Sequence, residues 1–361
     1  MIIVTGCGKT GDVVDKPGEV DINQEENGAD NGTGTGNEQA GAVQDDSSKV
    51  DINQSAAAGD SGNKTTAEAV WVVYWDDEDY VSKLSSGPYD PEIICEFEAY
   101  FDGKHNLVKE ERMTDQFKTL KNLPAMSEKK FYLTFVNDVV SDGKSEQKDT
   151  KVLYDVLNDP VKHASDIVQS AKEDGFDGIE IDYEKIRDDL KLWELFISFE
   201  NELIKAAGSE NIPLRIVLEP STPVEKIDLP KGPEYVVMCY NLYGYGTKPG
   251  PKADRDFLIE LSERFEPLSD NLGFAFANGG FDWNLSKDTI EPLTDLQGKQ
   301  LIKDFGKDAR RDEKSFDITF TYEKDGLKHE VYFADDETIK QWADIIYENT
   351  KKEVKMNIWR M

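Results

Sequence analysis

Hydrophobic and polar positions divide much of this chain into short apolar runs separated by longer segments with helical spacing. Runs with the length and composition of strands occupy 69–75, 92–101, 130–136, 176–184, 214–219, 235–241, 272–278 and 354–359. Strands that alternate with helices favour a parallel sheet whose outer face is covered by those helices. The pattern therefore predicts an α/β fold, and eight such runs predict a (β/α)8 TIM barrel.

The helical segments between the runs carry start and stop signals. Asp159 and Pro160 form a cap and first-turn pair, and Gly175 can end the helix that they begin. Apolar residues recur on one face of this helix and of the next one, at Ala164, Ile167, Val168 and Ala171, and then at Leu192, Phe196, Phe199 and Leu203. These patterns predict two amphipathic helices that pack on the barrel.

A hairpin signal lies between the last two predicted strands. The runs 316–322 and 328–333 flank Asp325-Gly326, a dipeptide typical of tight β-turns. The sequence therefore predicts a small α+β insertion at about 292–334, between strands seven and eight of the barrel.

The first part of the chain has a different composition. From Gly8 to about Lys64 it is rich in Gly, Asp, Asn, Gln and Ser and has almost no aromatic residues, so it lacks the apolar surface that folding requires. We interpret residues 1–66 as a disordered acidic tether and residues 67–361 as the folded domain. The segment MIIVTGC resembles the end of a truncated bacterial lipoprotein signal, which makes Cys7 a candidate for lipid attachment and predicts an extracellular, cell-surface protein. The alternative is that Cys7 is incidental.

Charge and cysteine content exclude several classes of function. The net charge is −31, and no basic stripe that could bind nucleic acid is visible. Cys7, Cys95 and Cys239 have no CxxC spacing, and the three histidines are scattered. We therefore expect no metal site, no cofactor and no nucleic-acid partner, and disulfides are not implied.

The segment FDGIEIDYE, which starts at Phe176, carries the strongest chemical signal. Alternate residues of a strand share a face, so Glu180, Asp182 and Glu184 point one way. A solvated outer strand face would show the same alternation, but parallel strands covered by helices are normally apolar throughout. Carboxylates two residues apart lie roughly 6–7 Å apart along a strand. Like charges at that distance retain a proton near neutrality, which would let Glu184 act as an acid.

This segment resembles the strand-four signature of glycoside hydrolase family 18, the chitinases and related N-acetylglucosaminidases. The family pattern Asp-Gly-x-Asp-x-Asp-x-Glu is matched from Asp177 to Glu184, except that Glu180 replaces an Asp. Met238, Tyr240 and Asn241 resemble the family's Met-x-Tyr-Asp, with Asn241 in place of the Asp. Trp359 resembles the tryptophan that floors the substrate subsite. The resemblance covers about 69–361.

The resemblance implies a role for each matched residue. Glu184 would be the general acid and base, Asp182 would hold the substrate's acetamido N–H, and Tyr240 would hydrogen-bond its carbonyl oxygen. Supporting roles would fall to Asp177, Glu180, Met238 and Asn241. Trp359 would stack on a sugar ring, and Trp75 and Asn137 would make further substrate contacts. Other candidates for the cleft wall are Trp71, Glu219 and Trp283.

The implied activity is retaining hydrolysis of β-1,4-linked N-acetylglucosamine glycans (chitin, peptidoglycan or the N-glycan core), assisted by the substrate's own acetamido group. The partner would be such a polysaccharide, and the protein would be a monomer. The alternative is a non-catalytic protein that binds the same glycans on the same barrel.

Overall fold

The computed structural model describes residues 64–73, 83–84, 87–141 and 144–360. The candidate residues Cys7 and Trp75 and nearly all of the predicted tether lie outside these ranges. In chain order, the described strands are β1 (Thr65–Val73), β2 (Tyr89–Asp102), β3 (Leu107–Lys109), β4 (Lys130–Ser141), β5 (Lys144–Glu146), β6 (Gly178–Asp182), β7 (Leu214–Leu218), β8 (Glu234–Met238), β9 (Leu272–Ala277), β10 (Gly279–Asn284), β11 (Thr289–Leu293), β12 (Arg310–Arg311), β13 (Ile318–Lys324), β14 (Leu327–Ala334) and β15 (Lys355–Trp359). The helices are α1 (Glu111–Lys121), α2 (Thr150–Val156), α3 (Pro160–Asp174), α4 (Leu190–Ser209), α5 (Arg255–Arg264), α6 (Asp295–Phe305) and α7 (Asp336–Thr350).

Eight of these strands form a closed parallel barrel. Around the barrel the order is β1, β2, β4, β6, β7, β8, β9 and β15, and β15 pairs again with β1. Helices follow β2, β4, β6, β8 and β9 along the chain, whereas the segment 219–233 between β7 and β8 contains none. Each predicted strand run overlaps one barrel strand, so the predicted TIM barrel is confirmed.

Helix α3 shows why the local sequence signals were reliable. The Asp159 side chain accepts a hydrogen bond from the Lys162 N–H at the start of the helix, and Gly175 ends it with a φ of 77°. The buried face of α3 contains the four predicted apolar residues together with His163. None of the helices in the described ranges is long and apolar enough to cross a membrane.

A second, antiparallel sheet lies between β9 and β15, with the strand order β11-β10-β14-β13-β12. The predicted hairpin is present as β13 and β14, and Asp325 and Gly326 in its turn have φ of 54° and 75°. The second sheet begins at Gly279, one residue after the end of β9. It therefore starts earlier along the chain than the insertion predicted at 292–334.

Candidate active site

Strand β6 places the motif carboxylates at the carboxyl end of the barrel. Glu180, Asp182 and Glu184 are 0%, 5% and 8% exposed, and the alternate residues Ile181 and Tyr183 pack in the core outside the barrel. Gly178 is the first residue of the strand. A larger residue would not fit there, because a Cβ would lie 2.4 Å from the Tyr132 ring. The period-two pattern therefore predicted correctly that the three carboxylates share one side of β6.

Glu180 is held by partners from several strands. It accepts hydrogen bonds from Trp71 Nε1 (2.6 Å) and Thr134 Oγ1 (2.8 Å), and its Oε2 lies 3.1 Å from Nε of Arg215. Arg215 is 1% exposed and donates a hydrogen bond to Asn357 Oδ1 at 2.8 Å. Because an unpaired charge is costly in such a place, the buried guanidinium and carboxylate depend on each other. The longer side chain of Glu180 is thus matched by a cation.

Asp182, two residues further along the strand, has a different environment. Its Oδ1 atom is buried and has no hydrogen-bond partner among the described residues. Burial raises the pKa of this carboxyl well above its usual range, and the neighbouring charges of Glu184 and Glu180 raise it further. The proton that the spacing predicts for this group of carboxylates is therefore favoured on Asp182.

Glu184 is paired with a cation that the sequence pattern does not single out. The Lys148 ammonium contacts Glu184 Oε2, and the Lys148 side chain is 35% exposed. Burial acts to lower the pKa of Lys148, but the charges of Glu184, Asp182 and Glu219 outweigh it and leave the pKa raised. Lys148 therefore remains an ammonium ion near neutral pH.

Asn137 clamps the main chain of Glu184. Its Oδ1 accepts a hydrogen bond from the Glu184 N–H at 2.9 Å, and its Nδ2 donates to the Glu184 carbonyl at 3.1 Å. The same Nδ2 lies 3.3 Å from the carbonyl oxygen of Asp149. Asn137 is 1% exposed, so the structure gives it a positioning contact where the sequence suggested a substrate contact.

Tyr240 and Trp359 lie at the carboxyl ends of β8 and β15. Burial raises the pKa of the Tyr240 phenol well above its usual range, and Asp182 and Glu184 add to this, so the O–H remains a donor. The Trp359 ring packs edge-on against Trp71 and Phe97, with centroids 5.9 and 5.4 Å away. Met238 is buried in the same apolar cluster, inside the barrel.

The remaining candidates lie elsewhere. Asp177 is at the amino end of β6, where it accepts a hydrogen bond from the Phe131 N–H at 3.0 Å and pairs with Lys121 at 3.2 Å. Asp182 is five positions further along the strand, roughly 16 Å away, so the predicted support of Asp182 by Asp177 is not present. Asn241 is exposed and has a φ of 70°. Trp283 is buried in β10 of the second sheet.

Lys148 and Arg215 are the site residues that sequence reasoning missed. An arginine in the apolar run of β7 is itself a signal, because a buried arginine needs an acidic partner. Lys148 carries no such signal, since it lies in a polar segment between β5 and α2. In the described part of the chain, no group of three or more His, Cys, Asp or Glu side chains is arranged to hold a metal ion.

Comparisons with known proteins place this architecture among solved structures. Neither a scan against protein-family models nor a search of curated proteins found a match. The spore cortex-lytic enzyme SleL of Bacillus megaterium QM B1551 is similar in structure, with a TM-score of 0.63, 17% identity and coverage of 83% of this chain and 71% of that chain.

Two chitinases are similar to a comparable degree. The enzyme of Chromobacterium violaceum ATCC 12472 has a TM-score of 0.67 and 15% identity, and the match covers 81% of this chain and 93% of that chain. A family 18 chitinase of Cycas revoluta, solved in complex with (GlcNAc)4, has a TM-score of 0.58 and 14% identity, covering 81% and 94%. The resemblance is thus confirmed at the level of structure: this chain has the barrel fold of glycoside hydrolase family 18.

Proposed function

We propose that the protein is a retaining glycoside hydrolase that cleaves β-1,4-linked N-acetylglucosamine glycans with the help of the substrate's 2-acetamido group. The buried, unpartnered Oδ1 of Asp182 is the observation that carries this proposal. A buried acceptor without a donor is costly, and an acetamido N–H supplies the missing donor. The likeness to chitinases, one of them solved with (GlcNAc)4, supports the same class of substrate.

The first half of the reaction requires a proton on Glu184. Glu184 donates it to the glycosidic oxygen as the bond from that oxygen to the anomeric carbon breaks. The acetamido carbonyl oxygen attacks the anomeric carbon and forms a cyclic oxazolinium ion. Asp182 accepts a hydrogen bond from the acetamido N–H. As a carboxylate, it also stabilises the positively charged oxazolinium ring. The Tyr240 O–H donates a hydrogen bond that orients the carbonyl.

The second half runs in the opposite direction. Glu184 is now a carboxylate and takes a proton from water, whose oxygen attacks the anomeric carbon and opens the ring. Two displacements on the same carbon leave the configuration retained. Trp359, against Trp71 and Phe97, provides an aromatic face for the apolar side of the pyranose during both steps.

Glu184→Gln and Asp182→Asn test these roles in the full-length protein. We expect each change to lower kcat by roughly 10²–10⁴-fold, because each removes a group that acts in the same step. The measurement is release of fluorophore from 4-methylumbelliferyl chitobioside, with inhibition of the parent by a thiazoline analogue of the oxazolinium ion. More than about a tenth of parental activity in Glu184→Gln would exclude its assignment as the acid.

A matched change at the other end of β6 is the control. Asp177→Asn alters a carboxylate of the same motif that lies far from the cleft, so kcat should stay close to that of the parent. If the parent itself shows no turnover on this or longer chito-oligosaccharides, hydrolysis is the wrong function, and binding to chitin and peptidoglycan becomes the next measurement.

A further inference from the structure

The turn that carries Lys148 is tightly anchored to the end of β4. The Lys148 N–H donates to Asp138 Oδ1 at 2.8 Å, and the Asp149 N–H donates to the Asn137 carbonyl at 2.8 Å. Lys185 Nζ lies 3.3 Å from the carbonyl oxygen of Gln147. Lys148 itself has a φ of 57°, which is uncommon for a residue other than glycine. The turn therefore fixes the backbone from which the Lys148 side chain extends.

The Lys148 ammonium lies against the carboxylate of Glu184, the acid of the proposed reaction. Among the described residues, Lys148 supplies the only ammonium group paired with Glu184. An adjacent cation stabilises the carboxylate form of an acid, yet the first step of the reaction needs Glu184 to carry a proton. The first step therefore needs a proton on a carboxyl that the structure pairs with a cation.

Other charges around the pair do not remove this bias. The groups that interact electrostatically with Asp182 or Glu184 from the surrounding elements are Glu180, Asp138, Glu219 and Tyr240, while Lys185 acts on Asp138 and Arg187 on Glu219. Burial and the charge of Glu184 raise the pKa of Glu219, whose Oε2 accepts the Lys185 N–H at 2.7 Å. Glu180 is already matched by Arg215. Of the two carboxyls, Lys148 is thus paired with that of Glu184, and this contact makes their environments different.

We propose that Lys148 is a positioning residue that keeps Glu184 in its carboxylate form in the free protein and directs the proton of the Asp182–Glu184 pair to Asp182. This rests on the proposed function only for its catalytic consequence. When substrate occupies the cleft, the partly exposed ammonium turns toward solvent and the proton moves from Asp182 to Glu184. Asp182 is then the carboxylate that the oxazolinium ion requires.

The proposal fixes the direction of a pH effect. The pair is active with one proton and inactive after losing it, and a neighbouring cation favours the loss. Removing the cation should therefore shift the alkaline limb of kcat/KM to higher pH. A residue with a merely structural role would lower the rate and leave this limb in place.

Three variants of the full-length chain test this. Lys148→Met keeps the side-chain length and replaces one non-glycine residue by another at the same φ, so the backbone cost is unchanged, while Lys148→Arg keeps the charge. Lys144→Met, on the exposed part of β5 in the same hairpin, is the control. We expect the alkaline limb to move up by about one pH unit in Lys148→Met and to stay near that of the parent in the other two.

A second readout does not depend on turnover. Carbon-13 NMR of labelled Asp and Glu carboxyls, assigned with Asp182→Asn and Glu184→Gln, follows the protons directly. In the parent, Asp182 should be protonated and Glu184 ionised at neutral pH, and in Lys148→Met the pair should lose its proton about one pH unit higher. An unchanged titration of both carboxyls in Lys148→Met overturns the proposal, whether or not the protein is active. An inactive parent with the expected shift supports it and places the failure in the proposed hydrolysis.

Discussion

Asn137 fixes the main chain at Glu184 with both polar atoms of its side chain. Because the clamp acts on the N–H and the C=O of the same residue, it sets the position from which the Glu184 carboxyl reaches the cleft. The sequence placed Asn137 at a strand end, where a substrate contact was expected. The structure instead gives it a positioning contact, one that acts through another residue.

Replacing Asn137 by Ala should reduce both activity and stability. Two buried main-chain groups of Glu184 lose their partners, which costs about 1–3 kcal/mol of unfolding free energy for each group. A displaced acid should lower kcat by roughly 10–100-fold with little change in KM. Stopped assays on the chitobioside and chemical unfolding of the same preparation measure the two effects.

Asn201→Ala is the matched control. Asn201 lies on the exposed side of α4 and donates to the Ile197 carbonyl within its own helix, so its loss should change neither measurement noticeably. If Asn137→Ala keeps parental kcat, the clamp does not set the geometry of the acid.

Residue-scale chemistry was predictable only where it followed a strand period. Glu180, Asp182 and Glu184 share one side because alternation along a strand is geometric. Lys148 was not predictable, because its contact with Glu184 depends on where a polar turn folds back over the barrel. The role of Asn137 was not predictable either, since one amide can bind substrate or backbone and only its neighbours decide which.

At the scale of elements, β6 is held on its outer side by the helices that cover it. Tyr183 lies between the two carboxylates in sequence and points away from them, and its O–H lies 2.8 Å from Nε2 of His163 on α3. The His163 ring packs against Phe199 of α4 with centroids 4.9 Å apart. The carboxyl end of β6 is therefore located by two helices as well as by the barrel.

This contact should make stability depend on acid pH. Burial lowers the pKa of His163 to about 4 from an ordinary value near 6.5. Between these values the unfolded chain binds a proton at this histidine that the folded chain does not, so the contribution of His163 to the free energy of unfolding falls as pH falls. The loss should reach roughly 3 kcal/mol between pH 7 and pH 4.

His163→Gln keeps a polar partner for Tyr183 but does not titrate, so its free energy of unfolding relative to that of the parent should rise as pH falls over this range. Denaturant unfolding at several pH values measures the difference. His105→Gln, at a partly exposed histidine paired with Asp155, serves as the comparison. Its free energy of unfolding should follow that of the parent as pH falls. Parallel pH curves for His163→Gln and the parent would contradict the buried, neutral histidine.

Elements were predictable where the apolar pattern was strong and the turn chemistry was specific. The barrel strands and the β13–β14 hairpin satisfy both conditions. Strands β10 and β11 do not, because β10 follows β9 after a single residue and opens with two glycines, so the predicted run ended at 278 and β10 was not predicted as a strand. The start of the second sheet depended on tertiary pairing with β14.

For the whole molecule, buried carboxyls should shift the range of greatest stability toward acid. Burial raises the pKa of Glu98 and of Glu200 to about 8. The folded chain then keeps protons that the unfolded chain has lost, so stability is present below the unfolded pKa and falls as pH rises toward 8. Glu200 is 1% exposed, and one of its oxygens has no partner among the described residues.

Glu200→Gln should therefore be more stable than the parent at alkaline pH. The amide keeps an oxygen for the Tyr235 O–H, now 3.3 Å from Glu200, and carries no charge to bury. We expect a gain of about 4 kcal/mol in unfolding free energy at pH 9 and about 1 kcal/mol or less at pH 5. Glu202→Gln, at a more exposed carboxylate paired with Lys205 on the same helix, should show no such gain, and equal gains in both variants would count against burial as the cause.

The charged layer beneath the active site draws on every strand of the barrel. It includes Trp71, Cys95, Thr134, Glu180, Arg215, Glu234, Asn357 and, through a bond from Asn357 Nδ2 at 3.4 Å, the carbonyl of Phe274. Asn357 lies in β15, the last barrel strand to leave the ribosome. A nascent chain without β15 lacks the Asn357 acceptor for the Arg215 Nη2–H and has an open seam beside the buried ion pair. The buried ion-pair layer can therefore close only after β15 has been synthesised, and a chain that lacks β15 leaves the barrel open at that layer.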